Sequence, residues 1–515
     1  MKTYLAVLNG KCHLILLLFL LPVYCISQKH DYNWLQGYDY GYDTANAISY
    51  GISHFDFNDD TLAISYDSLG MWFLTTNTCY SGANGSIIFY SNGIHIRNSL
   101  DEKVENSDSM NAGYFQFEYL PDLQILGYNT YNGIIALEDP AAINKYFLIH
   151  SFIDTIGGTF NLTCDKIYFT YLDMTANTGH GAVTAKDQTI LSGRFGYELK
   201  ATRHANGRDW WILVQKRGTD CYERILLDNT GIHTLGTTCG GQSVVGLSGS
   251  ACFSQDGSKY VYVGMYGGIN LFDFDRCSGE LSNPQYFPLP IFQDLGAIGI
   301  GSAFSPNSRF LYVNATIHCY QFDLWAADVW ASVDTVAFYD GAQNPFGSAF
   351  HTMQIAPDGK IYSSCGNTEW VYHVIDSPDV KGDSCLFKQH EIELPSVCAG
   401  VPNFVNYRLG ALQNSPCDTL TSLNNTEKSQ KEKHINIFPN PATDFITVDY
   451  GFTDWNKGEV TLEITNELGQ VVHHQPLPIY SGFQRINISI LSTGVYHIAI
   501  KRGTQTVAIN KFTKH

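Results

Sequence analysis

Three five-residue turns recur at one spacing in this 515-residue chain, and that spacing limits the fold more than any other feature. Phe253-Ser254-Gln255-Asp256-Gly257, Phe304-Ser305-Pro306-Asn307-Ser308 and Ile355-Ala356-Pro357-Asp358-Gly359 start 51 residues apart. Each runs into an apolar stretch: Tyr260-Val261-Tyr262-Val263, Phe310-Leu311-Tyr312-Val313 and Ile361-Tyr362. A fourth copy lies 50 residues upstream, where Asn206-Gly207 precedes Trp210-Trp211-Ile212-Leu213-Val214. Asp-Gly and Asn-Gly accept the positive φ of a tight hairpin turn, and the flanking residues are expected to pair as strands. A second strand pair is expected in each unit, as at residues 269–274 and 285–288.

Four strands in about 50 residues match the blade of a β-propeller better than the shorter period of helical solenoids. Upstream, strand signals at 69–75, 86–90, 145–150 and 166–171 continue the pattern less regularly. About 380 residues at this period predict seven blades, with six and eight left open. Composition agrees: Tyr 32, Phe 30 and Gly 46 against only 16% charged residues favour an all-β chain with tight turns.

The two ends differ from this middle. Lys2 and Lys11 precede an uncharged apolar run over 14–23, too short to anchor in a bilayer, which marks residues 1–27 as an export signal. Cleavage after Ser27, leaving Gln28 first, fits a small-residue site; cleavage after Cys25 is the alternative, and lipidation of Cys25 is disfavoured by the bulky Tyr24. No other stretch is long and apolar enough for a transmembrane segment in the mature chain. After the propeller region 28–417, residues 418–433 read as a flexible polar linker. Within 434–515, seven short strands are expected at 435–438, 446–450, 460–464, 470–474, 484–488, 494–501 and 505–512, a small immunoglobulin-like β-sandwich.

The net charge of -18 becomes -20 without Lys2 and Lys11, and the excess acid lies before Asp418. No basic field invites nucleic acid or an anionic membrane. Eleven cysteines remain beyond the signal, between Cys79 and Cys417; export favours disulfides, an odd number leaves at least one thiol, and no C-x-x-C pair supports a zinc site.

The last 82 residues resemble the type IX secretion sorting domain of Bacteroidota. The resemblance is carried by Ile437-Phe438-Pro439-Asn440-Pro441-Ala442, Asn466-Glu467-Leu468-Gly469-Gln470, Leu491-Ser492-Thr493-Gly494-Val495-Tyr496 and the basic terminal strand around Lys511. It implies passage through the periplasm, recognition by the type IX secretion machinery, and release or attachment at the outer-membrane surface. The motif residues are Pro439, Asn440, Pro441, Gly469, Gly494, Tyr496 and Lys511. The prolines limit strand addition at the opening edge, Gly494 allows a turn into a paired strand, and Lys511 and Lys514 read as solvated charges.

The propeller region resembles the N-terminal propellers of Bacteroidota surface proteins, some associated with gliding motility. The residues behind this are Ala201-Thr202-Arg203-His204-Ala205-Asn206-Gly207-Arg208-Asp209-Trp210-Trp211, Leu271-Phe272-Asp273-Phe274-Asp275-Arg276-Cys277-Ser278-Gly279 and Gln354-Ile355-Ala356-Pro357-Asp358-Gly359-Lys360-Ile361-Tyr362. This resemblance implies fold and location, not an activity.

Four sets of residues invite chemistry. His204 and Asp209 stand close enough across a turn for an acid/base pair, although a structural role for His204, Arg208 and Asp209 beside a buried Trp210-Trp211 strand is favoured. His180 sits in a glycine-flexed loop without a second histidine at ligand spacing. Asp56-Phe57-Asn58-Asp59-Asp60 begins like a calcium loop, but Thr61 replaces its glycine and Asp67 its glutamate. Trp325, Trp330 and Trp370 offer aromatic faces for a glycan. Asp256, Asp273 and Asp358 recur with the blades and are read as turn residues. No G-x-S-x-G, phosphate-loop or H-E-x-x-H motif is present.

The sequence thus favours a non-enzymatic extracellular scaffold, without cofactor, whose loops bind an unknown extracellular protein or glycan. A lactonase-like, metal-dependent propeller hydrolase and a structural part of a surface or gliding-motility layer are the alternatives.

Overall fold

The computed structural model describes residues 28–38, 51–59, 61–115, 126–155, 162–265, 268–289, 300–343, 346–366, 368–417, 434–438, 440–451, 460–466, 468–477, 481–502 and 505–515. The export signal with Ser27, the linker 418–433, and Asp60, Pro439 and Glu467 lie outside the described residues. The chain divides into two compact units, residues 1–419 and 420–515.

Each recurring turn has the backbone its sequence demands. Gly207, Gly257 and Gly359 have φ of +74°, +71° and +80°, and Ser308 holds the same position at +59° without being glycine. Every turn reverses the chain into a strand with almost no exposure, such as Trp210–Gln215, Lys259–Gly264 and Phe310–Ala315. Covered on both faces, these strands read as continuous apolar runs rather than alternating ones. Outer strands are wetter: Leu281–Phe287 is buried only at its two ends, so its sequence carries little apolar signal.

Among the described residues, the first unit contains seven antiparallel sheets in chain order, in residues 33–67, 78–98, 134–195, 200–244, 249–287, 300–338 and 350–398. The first two have three strands and the other five have four, each strand paired with its neighbour in sequence. The last sheet packs on the first: Ser53 Oγ lies 2.8 Å from Ser396 Oγ, and the Tyr372 hydroxyl donates to Gln36 Oε1. Trp34 meets Tyr362 edge to face at 5.6 Å across the same seam. The unit is a β-propeller.

Sequence signals at 86–90, 145–150 and 166–171 correspond to Ile87–Ser91, Lys145–Thr155 and Leu162–Asp173. Residues 69–75 are not a strand: Phe73 makes a single bridge to Gly37, and Leu74 and Thr76 donate to Leu126 and Tyr128 carbonyls. Their apolar side chains pack on the core from an irregular connection.

Among the described residues, the second unit has two sheets. One pairs Phe445–Gly451 with both His434–Phe438 and Ser481–Asn487; the other runs Val471–Pro476, Val460–Thr465, Gly494–Arg502, Gln505–Lys514. Their inward residues form one core, with Ile446, Val448 and Ile486 from the first sheet and Leu462, Ile464, Ile498, Ile500 and Phe512 from the second. Strands thus occur at all seven expected places.

Candidate functional site

The propeller axis is occupied by the chain itself. After the last strand, Phe387–Cys398, residues 401–412 are bonded in turn to most of the sheets. Asn403 is the hub: its Nδ2 donates to the carbonyls of Asn132, Ile134 and Leu199 at 3.0, 2.9 and 3.1 Å. Its Oδ1 accepts from Lys200 Nζ, which also donates to Phe404 O at 3.4 Å. Asn403 N donates to Asn77 O at 3.1 Å, Asn406 Nδ2 to Gln255 O at 2.8 Å and the Tyr407 hydroxyl to Ala136 O at 2.8 Å. Arg408 Nη2 then pairs with Asp31 Oδ2 at 2.8 Å. Burial lowers the Lys200 ammonium to about 8, because taking the charge out of water favours the neutral amine. A cavity of only about 40 Å³ remains beside the segment, room for ordered water.

The segment is stapled where it leaves the axis. Buried Arg276 donates to Gly410 O and Arg203 O, Leu412 N donates to Ala205 O at 2.8 Å, and Cys417 forms a disulfide with Cys277. A Cβ on Gly207 would stand 2.4 Å from Ala411 N, so this turn is glycine for close approach as well as for its φ. A second disulfide, Cys221–Cys239, joins paired strands of the fourth sheet; the other seven cysteines among the described residues are thiols.

The larger opening, a cavity of about 440 Å³, lies between the first hairpins of the second, third and fourth sheets. Glu138, at the end of the apolar strand Ile134–Glu138, enters it with its carboxylate partly exposed. Its Oε1 accepts from the Tyr80 hydroxyl at 2.6 Å and lies 3.3 Å from His30 Nε2; its Oε2 accepts from Arg203 Nη2 at 2.6 Å. The Arg203 guanidinium in turn lies 3.7 Å over the Trp210 ring. Burial alone pushes the Glu138 carboxyl up, but the Arg203 charge, the Tyr80 hydrogen bond and His30 outweigh it and hold it below its ordinary value. It is therefore an ionised, preoriented acceptor at neutral pH.

Opposite Glu138 across the strand pair stands Tyr146, on the floor of the same cavity. Its ring packs on Tyr80 and Phe89, and burial and then the Glu138 charge push its phenol up, so it stays protonated. The connection between them is held by Asp139, whose Oδ1 accepts from Ala141 N at 2.8 Å while its N donates to Lys145 O.

The residues singled out from sequence fare differently. His204 and Asp209 do not form an acid/base pair: His204 Nε2 faces Cys277 O at 3.1 Å in the next sheet, and Asp209 is held by Asn206 Nδ2 and Arg208. Their only direct bond is backbone, His204 N to Asp209 O. His180 is an exposed partner of Glu102. Asp56 Oδ1 caps Asn58 N, and Asp67 lies at the opposite end of the hairpin, beside Ile52, so the two cannot share a calcium ion. Asp256 and Asp358 bond Ser258 N and Lys360 N as turn residues, whereas Asp273 sits within a strand, paired to Lys259.

The tryptophans do not make one platform. Trp330 stacks on Phe287, Trp370 packs with Tyr38 and Leu126, and Trp325 stands under Arg309. Among the described residues, the one His/Cys/Asp/Glu group at metal-ligand spacing is Asp220, Cys221 and Cys239, whose two sulfurs are joined to each other. His30, Tyr80, Glu138, Tyr146 and Asn403 were not singled out from sequence; only the carboxylate closing an apolar strand before Asp139-Pro140 marks Glu138 there.

In the second unit, Asn440 bridges to the last strand, its Oδ1 accepting from Thr513 N at 2.9 Å and its Nδ2 donating to Lys511 O. Pro441 follows it, and Ala442 N donates to Thr513 O. Gly469 has φ +76° in a turn whose Asn466 Oδ1 accepts from Leu468 N and Gln470 N. Tyr496 stacks on Phe512 and donates to Ser492 O at 2.8 Å. Gly494 opens its strand without a left-handed φ, so no turn requires glycine there. Lys511 is exposed, but Lys514 is buried, contrary to its reading as a solvated charge.

Residues 436–514 match the family described as the secretion system C-terminal sorting domain. The chain therefore carries a type IX sorting domain, which directs export to the cell surface or secretion. No curated protein matches the chain. Solved structures similar to it include a candidate 6-phosphogluconolactonase from Bacteroides fragilis (12% identity, 73% of this chain and 98% of that one, TM-score 0.41). Others are a quinonprotein alcohol dehydrogenase-like protein from Bacteroides thetaiotaomicron (10%, 72% and 76%, 0.33) and the β-propeller domain of Cps50 (Swd1) from Myceliophteria thermophila (11%, 74% and 99%, 0.28). Among the described residues no helix is long and apolar enough to cross a membrane.

Proposed function

We propose that this chain is a seven-bladed propeller that works outside the cell as a non-enzymatic binding scaffold. Residues 1–27 take it to the periplasm and are cut off after Ser27, and an immunoglobulin-like sorting sandwich hands it to the type IX machinery through Asn440, Pro441, Tyr496 and the other motif residues. The mature protein is released or held at the outer-membrane surface, where it meets a protein or glycan.

The observation that carries the binding reading is the filled axis. A metal-dependent propeller hydrolase needs several acidic or histidine side chains converging on the central channel, and at that place stand Asn403, the cation Lys200 and Asp31, whose carboxylate is tied to Arg408. The lateral cavity around Glu138, built from rigid hairpins, is the concave surface left for a ligand.

Deletion of residues 434–515 tests the export half: the shortened protein should accumulate in the periplasm, and normal arrival at the surface or in the medium would refute it. For the binding half, the purified full chain is screened against surface polymers and for hydrolytic turnover. Co-purifying metal together with hydrolytic turnover that chelation abolishes would replace the scaffold by the metal-dependent enzyme.

A further inference from the structure

We infer that the cavity between the second, third and fourth sheets binds a neutral saccharide unit through its hydroxyl groups; this rests on the binding-scaffold reading and gives it a site and a ligand class. Three properties of the lining support it.

The first is charge compensation. Glu138 is paired with Arg203, Arg208 with Asp209 and Lys145 with Asp173, while Asp139 accepts from the Tyr171 hydroxyl and Ala141 N. Each lining cation already serves a carboxylate, which weakens its pull on a phosphate, and Asp139 is the one lining carboxylate held by neutral donors alone. A neutral ligand leaves these pairs intact.

The second is the mixture of open polar atoms. The Tyr146 hydroxyl makes no hydrogen bond among the described residues, although its side chain is almost wholly buried. Being protonated, it can donate one hydrogen bond and accept another. Glu138 has accepting capacity left beyond its two donors, Tyr80 and Arg203, since a carboxylate offers about four lone-pair sites. Arg208 commits Nε and Nη2 to Asp209 and leaves Nη1 as a donor at the rim. An acceptor, a donor and a group that does both match vicinal hydroxyls, each of which also donates and accepts.

The third is shape. About 440 Å³ falls in the usual range for small-molecule sites, and Ala83, Ile88, Ala142 and Ile143 supply apolar surface for the C–H faces of a sugar ring. Glu138 and Tyr146 project from paired strands, so the polar floor needs no reorganisation on binding.

The test uses the purified full chain, an array of neutral glycans, and calorimetric titration with cellobiose, maltose and chitobiose, with inorganic phosphate and glucuronate as charged comparators. Neutral glycans should bind in preference to both charged probes. Tyr146→Phe, which deletes one hydroxyl, should weaken that binding about tenfold at unchanged thermal stability, and Ala142→Trp, which fills the cavity from its rim, should abolish it. Absence of neutral-glycan binding, or preference for phosphate or glucuronate, would overturn the saccharide assignment. Glycan binding unchanged in both variants would overturn the site while leaving the scaffold reading standing.

Discussion

Replacing Asn403 by alanine removes the hub of the axial segment, and the size of the loss follows from what its amide serves. Nδ2 is shared by three backbone carbonyls from two sheets, and Oδ1 is one of two acceptors for Lys200 Nζ. One carbonyl, that of Asn132, keeps a second donor in Leu199 N, so the carbonyl side should contribute about 1–2 kcal/mol. Lys200, only 7% exposed, would lose its partner where water does not reach it freely, which adds about 2–3 kcal/mol. Asn403→Ala should therefore cost about 4 kcal/mol in urea unfolding. In a Lys200→Met background the same change should cost about 2 kcal/mol, because no buried charge is orphaned, giving a coupling of about 2 kcal/mol. Asn403→Asp keeps an acceptor for Lys200 and loses the donor to the carbonyls, so it should recover the Lys200 share of the cost and not the carbonyl share. A single-substitution cost under about 1 kcal/mol, or an additive cycle, would refute the reasoning.

Three further outcomes follow. Cys277→Ser with Cys417→Ser opens a loop spanning 140 residues, which chain entropy values at about 5 kcal/mol, seen as a lower denaturation midpoint that reducing agent changes further only through Cys221–Cys239; equal midpoints for wild type and variant under oxidising conditions would contradict it. Gly359→Ala meets only an ordinary contact with Pro306 Cγ at 3.9 Å and should cost the left-handed strain of about 1–2 kcal/mol, whereas Gly207→Ala also strikes the backbone of Ala411 and should cost clearly more, checked by thermal unfolding. Lys200 has its folded value lowered from 10.5 to about 8, so between those pH values the unfolded chain holds a proton that the folded one does not, and stability rises with pH. The difference between wild type and Lys200→Met should shift towards wild type by up to about 3 kcal/mol across that window, with the full cost present below pH 8; a flat difference would count against a buried Lys200.

What the sequence made legible was whatever local backbone chemistry demands. Gly207, Gly257 and Gly359 announced their turns because only such residues hold that φ easily, and the buried second strands announced themselves by unbroken apolar runs. Ser308 shows the limit: the position is the same, and only its place in the repeat reveals it. The sorting motifs were legible through their resemblance to a known family, and Gly494, which opens its strand, takes no left-handed φ.

The axial segment was not legible, because nothing local marks Val401-Pro402-Asn403-Phe404 as a core element. Its long-range hydrogen bonds run to residues between 50 and 377 positions away, from Gln354 to Asp31. The Glu138 cavity was hidden likewise: His30, Tyr80, Glu138 and Arg203 come from different sheets and meet only when these stand side by side. Local chemistry pointed instead to His204 and Asp209, whose side chains turn to other partners.

The occupied axis is tested most directly by hydrogen exchange of the amides in 401–412, resolved by fragment mass spectrometry of the full chain. Asn403 N, buried and bonded to Asn77 O inside the propeller, should exchange as slowly as the amides of the strand Trp210–Gln215, through global opening. Exchange of the whole segment within seconds, at the rate of an open loop, would mean that the axis is empty and would return the channel to the list of sites.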